Sequence, residues 1–278
     1  MKIGIGAFLT DRSIRPDTLA RAVEERGFES LFVPEHSHIP VSRESPYPAG
    51  GDMPDYYARI VHPFVALAAA AAVTTRITLG TAVALLAQRD VVHTAKEVAT
   101  LDLISDGRTV LGVAPGWNRE QMRTHGTNPR TRGALLDEQI QALKEIWTND
   151  EAEFDGKHVR YDRLWAWPKP VQRPHVPVYV GGWGPAAIRR LRDHGDGWMA
   201  GNAPDAAGVR AQAALLAEAP GKPMTVFGVG AEQVDVLEAY REVGAERVAL
   251  LLEPATESDT LAFLDRAAGL VTRFAEQP

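Results

Sequence analysis

The chain has 278 residues, with 30 Lys and Arg against 36 Asp and Glu, which gives a formal net charge of −6. Hydrophobic residues make up 45% and charged residues 24%, which excludes a disordered chain, a collagen-like repeat and a coiled coil. The acidic balance disfavours a nucleic-acid partner. The absence of cysteine excludes disulfides, thiolate metal sites and a cysteine nucleophile. Because no apolar run could cross a bilayer and no signal peptide is visible, we expect no membrane partner and a cytoplasmic location.

One structural unit recurs along the chain: a short apolar strand, a glycine-rich or polar connection and an amphipathic helix. Helices are expected to begin at Pro16, Pro63 and Pro185, where proline suits the first turn, and glycines such as Gly27 and Gly244 suit the helix ends. In chain order, the predicted strands are Ile3–Phe8, Ser30–Val33, Ile77–Val83, Thr109–Val113, Val178–Gly181, Gly197–Ala200, Met224–Val229 and Arg247–Leu252.

About eight such units in a chain of this length are typical of an α/β protein with a (β/α)8 TIM barrel, here a single domain over residues 1–278. The competing architecture is a doubly wound open sheet, and the number of units favours closure. The first turn, Gly4-Ile5-Gly6, lacks the third glycine and the immediate helix of a dinucleotide fingerprint.

Two long insertions interrupt the repeat. Residues Ser37–His62 follow the second strand and are rich in proline, glycine and aromatic residues, and this loop is a candidate lid because it follows the carboxyl end of a barrel strand. Residues Asp150–Pro177 precede the fifth strand and contain Asp155-Gly156 between alternating residues, which predicts a β-hairpin.

The second strand ends in Glu35-His36-Ser37-His38, which allows three interpretations. The two histidines and Glu35 could bind a metal, but no further ligand cluster follows the other strands, so no metal site is predicted. His36 could instead exchange a proton with a substrate near neutral pH. The third interpretation is a histidine that only fixes the loop by hydrogen bonding.

The third and fourth strands end in residues that could line a pocket. Small residues from Gly80 to Val83 would let a flat ring approach the backbone, although simple strand packing explains them equally well. After the fourth strand, Asn118 offers both a hydrogen-bond donor and an acceptor, and Trp117 could belong either to the core or to the pocket wall.

The fifth strand ends in Gly181-Gly182-Trp183-Gly184-Pro185, immediately before a predicted helix. Converging backbone N–H groups and the positive end of the helix dipole would suit an anion such as phosphate. A tight strand-to-helix turn also needs glycine. Asp196-Gly197-Trp198 opens the sixth strand and could close the neighbouring turn.

In the order in which its motifs occur, the chain resembles the luciferase-like monooxygenase superfamily, and within it the deazaflavin oxidoreductases that use coenzyme F420. The resemblance is clearest over residues 1–200. The motifs that carry it are Phe32-Val33-Pro34-Glu35-His36, Ile77 to Val83, Ala95-Lys96-Glu97 with Thr100-Leu101-Asp102, Ser105 to Arg108, Leu111-Gly112-Val113 with Gly116-Trp117-Asn118, Trp167 to Gln172, and Val180-Gly181-Gly182 with Asp196-Gly197-Trp198.

The resemblance implies a flavin or deazaflavin at the carboxyl mouth of the barrel. Its phosphate would lie near Gly181-Gly182, and its ring would rest on a bulge with a non-prolyl cis peptide, here at Ala82–Val83. His36 is the implied catalytic residue, acting in proton transfer, although Pro40 stands where some relatives have tryptophan. The complete predicted set of cofactor-binding residues is Glu35, Ala82, Val83, Asn118, Gly181, Gly182, Trp183, Asp196 and Trp198.

The resemblance implies an oxidoreductase that transfers a hydride between coenzyme F420 and a small organic substrate. One alternative is an FMN-dependent monooxygenase on the same barrel, and another is a protein that binds a flavin or deazaflavin without turnover. Dimers are common in the superfamily, so we also expect a homodimer.

Overall fold

A computed structural model describes residues 1–275 and contains a closed barrel of eight parallel strands. The barrel strands are β1 (Lys2–Ala7), β2 (Ser30–Val33), β3 (Thr78–Leu85), β4 (Thr109–Ala114), β7 (Val178–Gly181), β8 (Gly197–Gly201), β9 (Met224–Val229) and β10 (Arg247–Leu252). Around the barrel they follow the order β1-β10-β9-β8-β7-β4-β3-β2. The predicted TIM barrel is confirmed, and the doubly wound sheet is excluded because β1 pairs with β10.

Helices alternate with these strands. They are α1 (Pro16–Glu25), α2 (Pro63–Ala71), α3 (Val91–Ile104), α4 (Arg119–Thr124), α5 (Arg132–Thr148), α6 (Pro185–His194), α7 (Ala206–Leu216), α8 (Val234–Glu242) and α9 (Glu257–Phe274). Sequence analysis did not predict α4 or α7. The first has only six residues, and the second buries only Val209 and Gln212, so neither carries a strong apolar stripe. No helix within residues 1–275 combines the length and the apolar character needed to cross a membrane.

Large side chains fill the barrel interior, and glycines make room for them. A Cβ at Gly197 would lie 2.5 Å from the ring of Tyr179, and one at Gly80 would lie 2.5 Å from the ring of Phe32. At the amino ends of the strands, Tyr179 donates a hydrogen bond to Glu246 at 2.9 Å, and Arg247 is buried in an ion pair with Glu29. This packing occupies the amino end and the middle of the barrel, and the carboxyl end is left as the place for a ligand.

The predicted β-hairpin before the fifth barrel strand is confirmed. It consists of β5 (Ala152–Asp155) and β6 (Arg160–Leu164), which pair antiparallel. Within the turn, the N–H of Gly156 donates to the carbonyl of Val159 at 2.9 Å. Glu138 of α5 accepts hydrogen bonds from the backbone of His158 and Val159 at 2.6 and 2.8 Å, which fastens the hairpin to the barrel.

Candidate functional site

The carboxyl end of β3 forms a floor of small residues beside β7. The peptide bond Ala82–Val83 is cis, as the family resemblance implies, and the β3–β4 register shifts between Thr81 and Ala84. Two strands away, a Cβ at Gly181 would lie 2.9 Å from Cγ1 of Val83. The structure therefore brings the predicted residues Ala82, Val83 and Gly181 together, and only glycine at position 181 permits this close approach.

The turn after β7, the fifth barrel strand, presents free backbone donors at the start of α6. Gly182 and Gly184 have φ angles of +115° and +79°, values that favour glycine. The N–H groups of Trp183 and Gly184 donate to no acceptor within residues 1–275, and a Cβ at Gly184 would meet nothing within 4 Å. Free donors, open space and a helix N-terminus fit a phosphate group.

Two predicted tryptophans have different positions at this turn. Trp198 is fully buried among the residues between barrel and helices, and its Nε1–H donates to the carbonyl of Gly182 at 3.0 Å. Trp183 is 54% exposed and meets Trp198 edge to face at 6.3 Å between ring centroids. Trp198 thus supports the turn from behind, while Trp183 is available to a ligand.

Asp196, a predicted cofactor-binding residue, lies away from the Gly181 turn in the structure. Asp196 precedes β8, at the opposite end of the barrel from Gly181. Its carboxylate accepts hydrogen bonds from the N–H of Val178 at 2.9 Å and from Nζ of Lys144 at 3.0 Å. The family motif lies at the amino end of a strand, where side chains stabilise the barrel rather than bind ligands.

Glu35 is buried and contacts the carboxyl end of β3. One carboxylate oxygen accepts a hydrogen bond from the N–H of Leu85 at 2.7 Å, and the other forms an ion pair with Arg89. Arg89 also pairs with Glu97 and lies 4.7 Å above the ring of Phe64. Through these two contacts Glu35 holds the segment after the cis peptide in place, and its assignment as a cofactor-binding residue stays a prediction.

Asn118 caps α4 with its side-chain oxygen, and its side-chain amide nitrogen is free to bind a ligand. Its side-chain oxygen accepts a hydrogen bond from the N–H of Gln121 at 2.8 Å and caps α4. Its amide nitrogen has no partner within residues 1–275, and the side chain lines a cleft with Tyr47 and Trp117. Asn118 can therefore offer a ligand the N–H donors of its side-chain amide.

The hydrogen bonds of His36 define which of its ring nitrogens carries the proton. His36 is 9% exposed, and its Nδ1 lies 2.9 Å from Oε1 of Gln121. The Gln121 amide donates in turn to Oγ of Ser37 at 3.3 Å. Because an amide oxygen only accepts, Nδ1 carries the proton and Nε2 keeps its lone pair. Burial lowers the pKa of His36, the bond to Gln121 opposes this, and His38 lowers it further, so the ring is neutral at pH 7.

Sequence analysis missed Gln121 and His125. Both belong to α4 or its C-cap, and no motif or periodicity marked that short helix. Oγ of Ser37 links Gln121 to Nε2 of His125 at 2.7 Å and to Nδ1 of His38 at 2.9 Å. The polar network that holds His36 thus combines residues that follow β2 with residues that follow β4.

Aromatic rings from the predicted lid and from the connection after β4 lie beside His36, and hydrogen bonds anchor the lid. The rings of Tyr57 and Trp117 lie 5.4 and 5.9 Å from His36, and the hydroxyl groups of Tyr47 and Tyr57 are 3.0 Å apart. The N–H of Ser45 donates to Glu120 at 2.9 Å. Burial raises the pKa of Tyr57 far above its usual value, so the phenol stays protonated. An organic substrate beside His36 would be enclosed by these rings.

Residues 1–275 contain no group of three His, Asp or Glu side chains that could hold a metal ion. His36 Nδ1 is engaged by Gln121, while His38 Nδ1 faces Ser37. The pattern Glu35-His36-Ser37-His38 therefore does not converge on one point.

Replacing Gln121 with glutamate is expected to raise the pKa of His36, because a carboxylate accepting the Nδ1 proton favours the imidazolium. A pH titration of the His36 ring by NMR measures this shift. Gln141→Glu adds the same charge on an exposed face of α5 and should leave the titration unchanged. An identical His36 pKa in Gln121→Glu would contradict the pairing.

Comparison with known proteins assigns the class. The family model for luciferase-like monooxygenases matches residues 17–252. The chain belongs to the luciferase-like monooxygenase family, in agreement with the barrel and with the motifs in the sequence.

Three relatives and one solved structure illustrate the range of this family. An uncharacterized protein of Mycobacterium tuberculosis is 38% identical over 278 residues, covering 96% of this chain and 98% of that protein. The F420-dependent glucose-6-phosphate dehydrogenase of Nakamurella multipartita is 33% identical over 193 residues (67% and 52%). The FMNH2-dependent dimethylsulfone monooxygenase of Pseudomonas putida is 35% identical over 121 residues (42% and 33%). The monooxygenase RslO1 of Streptomyces bottropensis superimposes with a TM-score of 0.79 at 18% identity, covering 99% of this chain and 100% of that one.

Proposed function

We propose that the protein is an oxidoreductase that binds coenzyme F420 at the carboxyl mouth of the barrel and transfers a hydride between it and a small organic substrate. One observation carries the proposal: three features lie at the carboxyl end of the barrel. They are the Ala82–Val83 floor, the free N–H groups of Trp183 and Gly184, and a buried, neutral His36. A flat redox cofactor that carries a phosphate requires the first two, and proton exchange requires the third.

Each group has a separate part in the proposed reaction. The bound deazaflavin supplies a two-electron hydride acceptor or donor. Trp183 and Gly184 would hold its phosphate through their N–H groups, and Gly181 would leave space for the ring. His36 Nε2 takes up the substrate proton when the substrate loses a hydride, and returns it in the reverse direction. Tyr57 and Trp117 exclude water around that nitrogen, which keeps the proton transfer local.

An equilibrium titration of the purified protein with F420 and with FMN, followed by fluorescence, tests the cofactor. We expect F420 to bind at least about tenfold more tightly than FMN. Tighter binding of FMN would overturn the proposal in favour of a monooxygenase, the chemistry in the name of the Pseudomonas putida relative. Tight binding of F420 without oxidation or reduction of any alcohol, aldehyde or ketone in a substrate panel would indicate a carrier protein.

A further inference from the structure

An arginine-rich cleft lies beside the site, between α4 and the start of α5. It encloses about 440 Å³ and is lined by Arg119, Arg123, Asn128, Pro129, Arg130 and Arg132. Because α4 follows the carboxyl end of β4, the cleft lies at the same end of the barrel as His36 and the Gly181–Gly184 turn. No acidic side chain is among its lining residues. It is therefore a concentrated positive region on a chain whose net charge is −6.

Most of this positive charge is uncompensated. Arg123 forms an exposed ion pair with Glu44 at 3.1 Å. Arg119, Arg130 and Arg132 have no carboxylate within ion-pair distance in the part of the chain that the structure describes. Such a cluster raises the local concentration of anions, and guanidinium groups are suited to the planar geometry of carboxylates.

Arg132 provides the second observation that points to a ligand. Its Nη1 donates to the carbonyl of Pro129 at 2.6 Å, which holds the side chain against the wall of the cleft. Its Nε is buried and has no acceptor among residues 1–275. Arg132 is also the first residue of α5, a helix of 17 residues whose N-cap, Thr131, makes no side-chain capping bond. Unused donors and the positive end of the helix dipole thus occur together.

The cleft and the phosphate turn lie on neighbouring helices. Nη2 of Arg190 in α6 donates to the carbonyl of Gly133 in α5 at 3.1 Å, and α6 begins directly after Gly184. A ligand whose phosphate is held at that turn could extend along the rim toward Arg132. The ligand that would use the cleft is therefore an anionic chain attached beyond the phosphate.

We propose that this cleft binds the oligoglutamate chain of coenzyme F420, an inference that rests on the proposed function. F420 continues beyond its phosphate into a chain of carboxylates, whereas FMN ends at the phosphate. Several guanidinium groups in one cleft match several carboxylates along one chain. The cleft would then favour the deazaflavin over FMN through contacts far from the reacting ring.

The test measures binding of two forms of F420, one with several glutamates and one with none, to the wild type and to Arg119→Gln/Arg130→Gln. Dissociation constants come from fluorescence titration at fixed ionic strength. We expect the wild type to bind the glutamylated form about tenfold more tightly, and the double variant to lose this preference while its affinity for the form without glutamates stays unchanged. The control Arg210→Gln/Arg266→Gln removes the same charge from exposed faces of α7 and α9 and should retain the preference.

Equal affinity of the wild type for both forms, or an undiminished preference in the double variant, would overturn the inference and leave the proposed cofactor intact. Failure of the wild type to bind even the form without glutamates would instead overturn the proposed cofactor, and the inference with it. The two failures are distinguishable because the shorter form reports only on the ring and phosphate contacts.

Discussion

Replacing His36 with alanine is expected to lower kcat by about 10²- to 10⁴-fold, the usual contribution of a positioned general acid or base. The Kd for the cofactor should change by less than about threefold, because no contact of His36 in the structure involves the Gly181–Gly184 turn. Steady-state kinetics and a fluorescence titration on the same preparations provide the two numbers. The separation of the two effects distinguishes proton exchange from cofactor binding.

Two further variants test whether a loss of turnover in His36→Ala comes from misfolding. His36→Asn keeps a polar side chain between Tyr57 and Trp117, so it should retain the fold while still losing turnover. His93→Ala removes a histidine whose side chain is 89% exposed, and we expect no change in either quantity. Wild-type turnover in His36→Asn would assign His36 to loop packing, the third interpretation of its sequence motif.

Most of the fold could be predicted because each barrel unit repeats the same local signals. Four predicted strands, among them Ser30–Val33 and Met224–Val229, match the structure at both ends, since each is a short apolar run bounded by turn residues. The helix α7 was missed because it buries only Val209 and Gln212, so its sequence shows no strong apolar stripe. A local sequence pattern does not show which helices are stabilised by contacts with distant parts of the chain.

The candidate site was less predictable, for a physical reason. A motif shows which residue types follow a strand, but it does not show where their side chains point. Asp196 belongs to a family motif and lies at the wrong end of its strand, while Gln121 belongs to none and fixes the proton of His36. Contacts between distant parts of the chain decide both cases, and single-sequence reasoning has no access to them.

Glu35→Gln tests whether Glu35 acts through structure rather than by contact with the cofactor. We expect the free energy of unfolding to fall by about 3 kcal/mol, the lower end for breaking a buried ion pair, because Glu97 still partly neutralises Arg89. Urea unfolding measures the loss. Since the Glu35 carboxylate also fixes Leu85, just beyond Val83, affinity for the cofactor should weaken together with stability.

The matched control is Glu97→Gln, which removes the other carboxylate of Arg89. Its side chain is 36% exposed, against 7% for Glu35, so water replaces it more readily and the loss should be about 1 kcal/mol or less. A Glu35→Gln protein with wild-type stability and no cofactor binding would instead support Glu35 as a direct ligand of the cofactor. Equal losses in the two variants would mean that Arg89, and not the Leu85 segment, is what Glu35 supports.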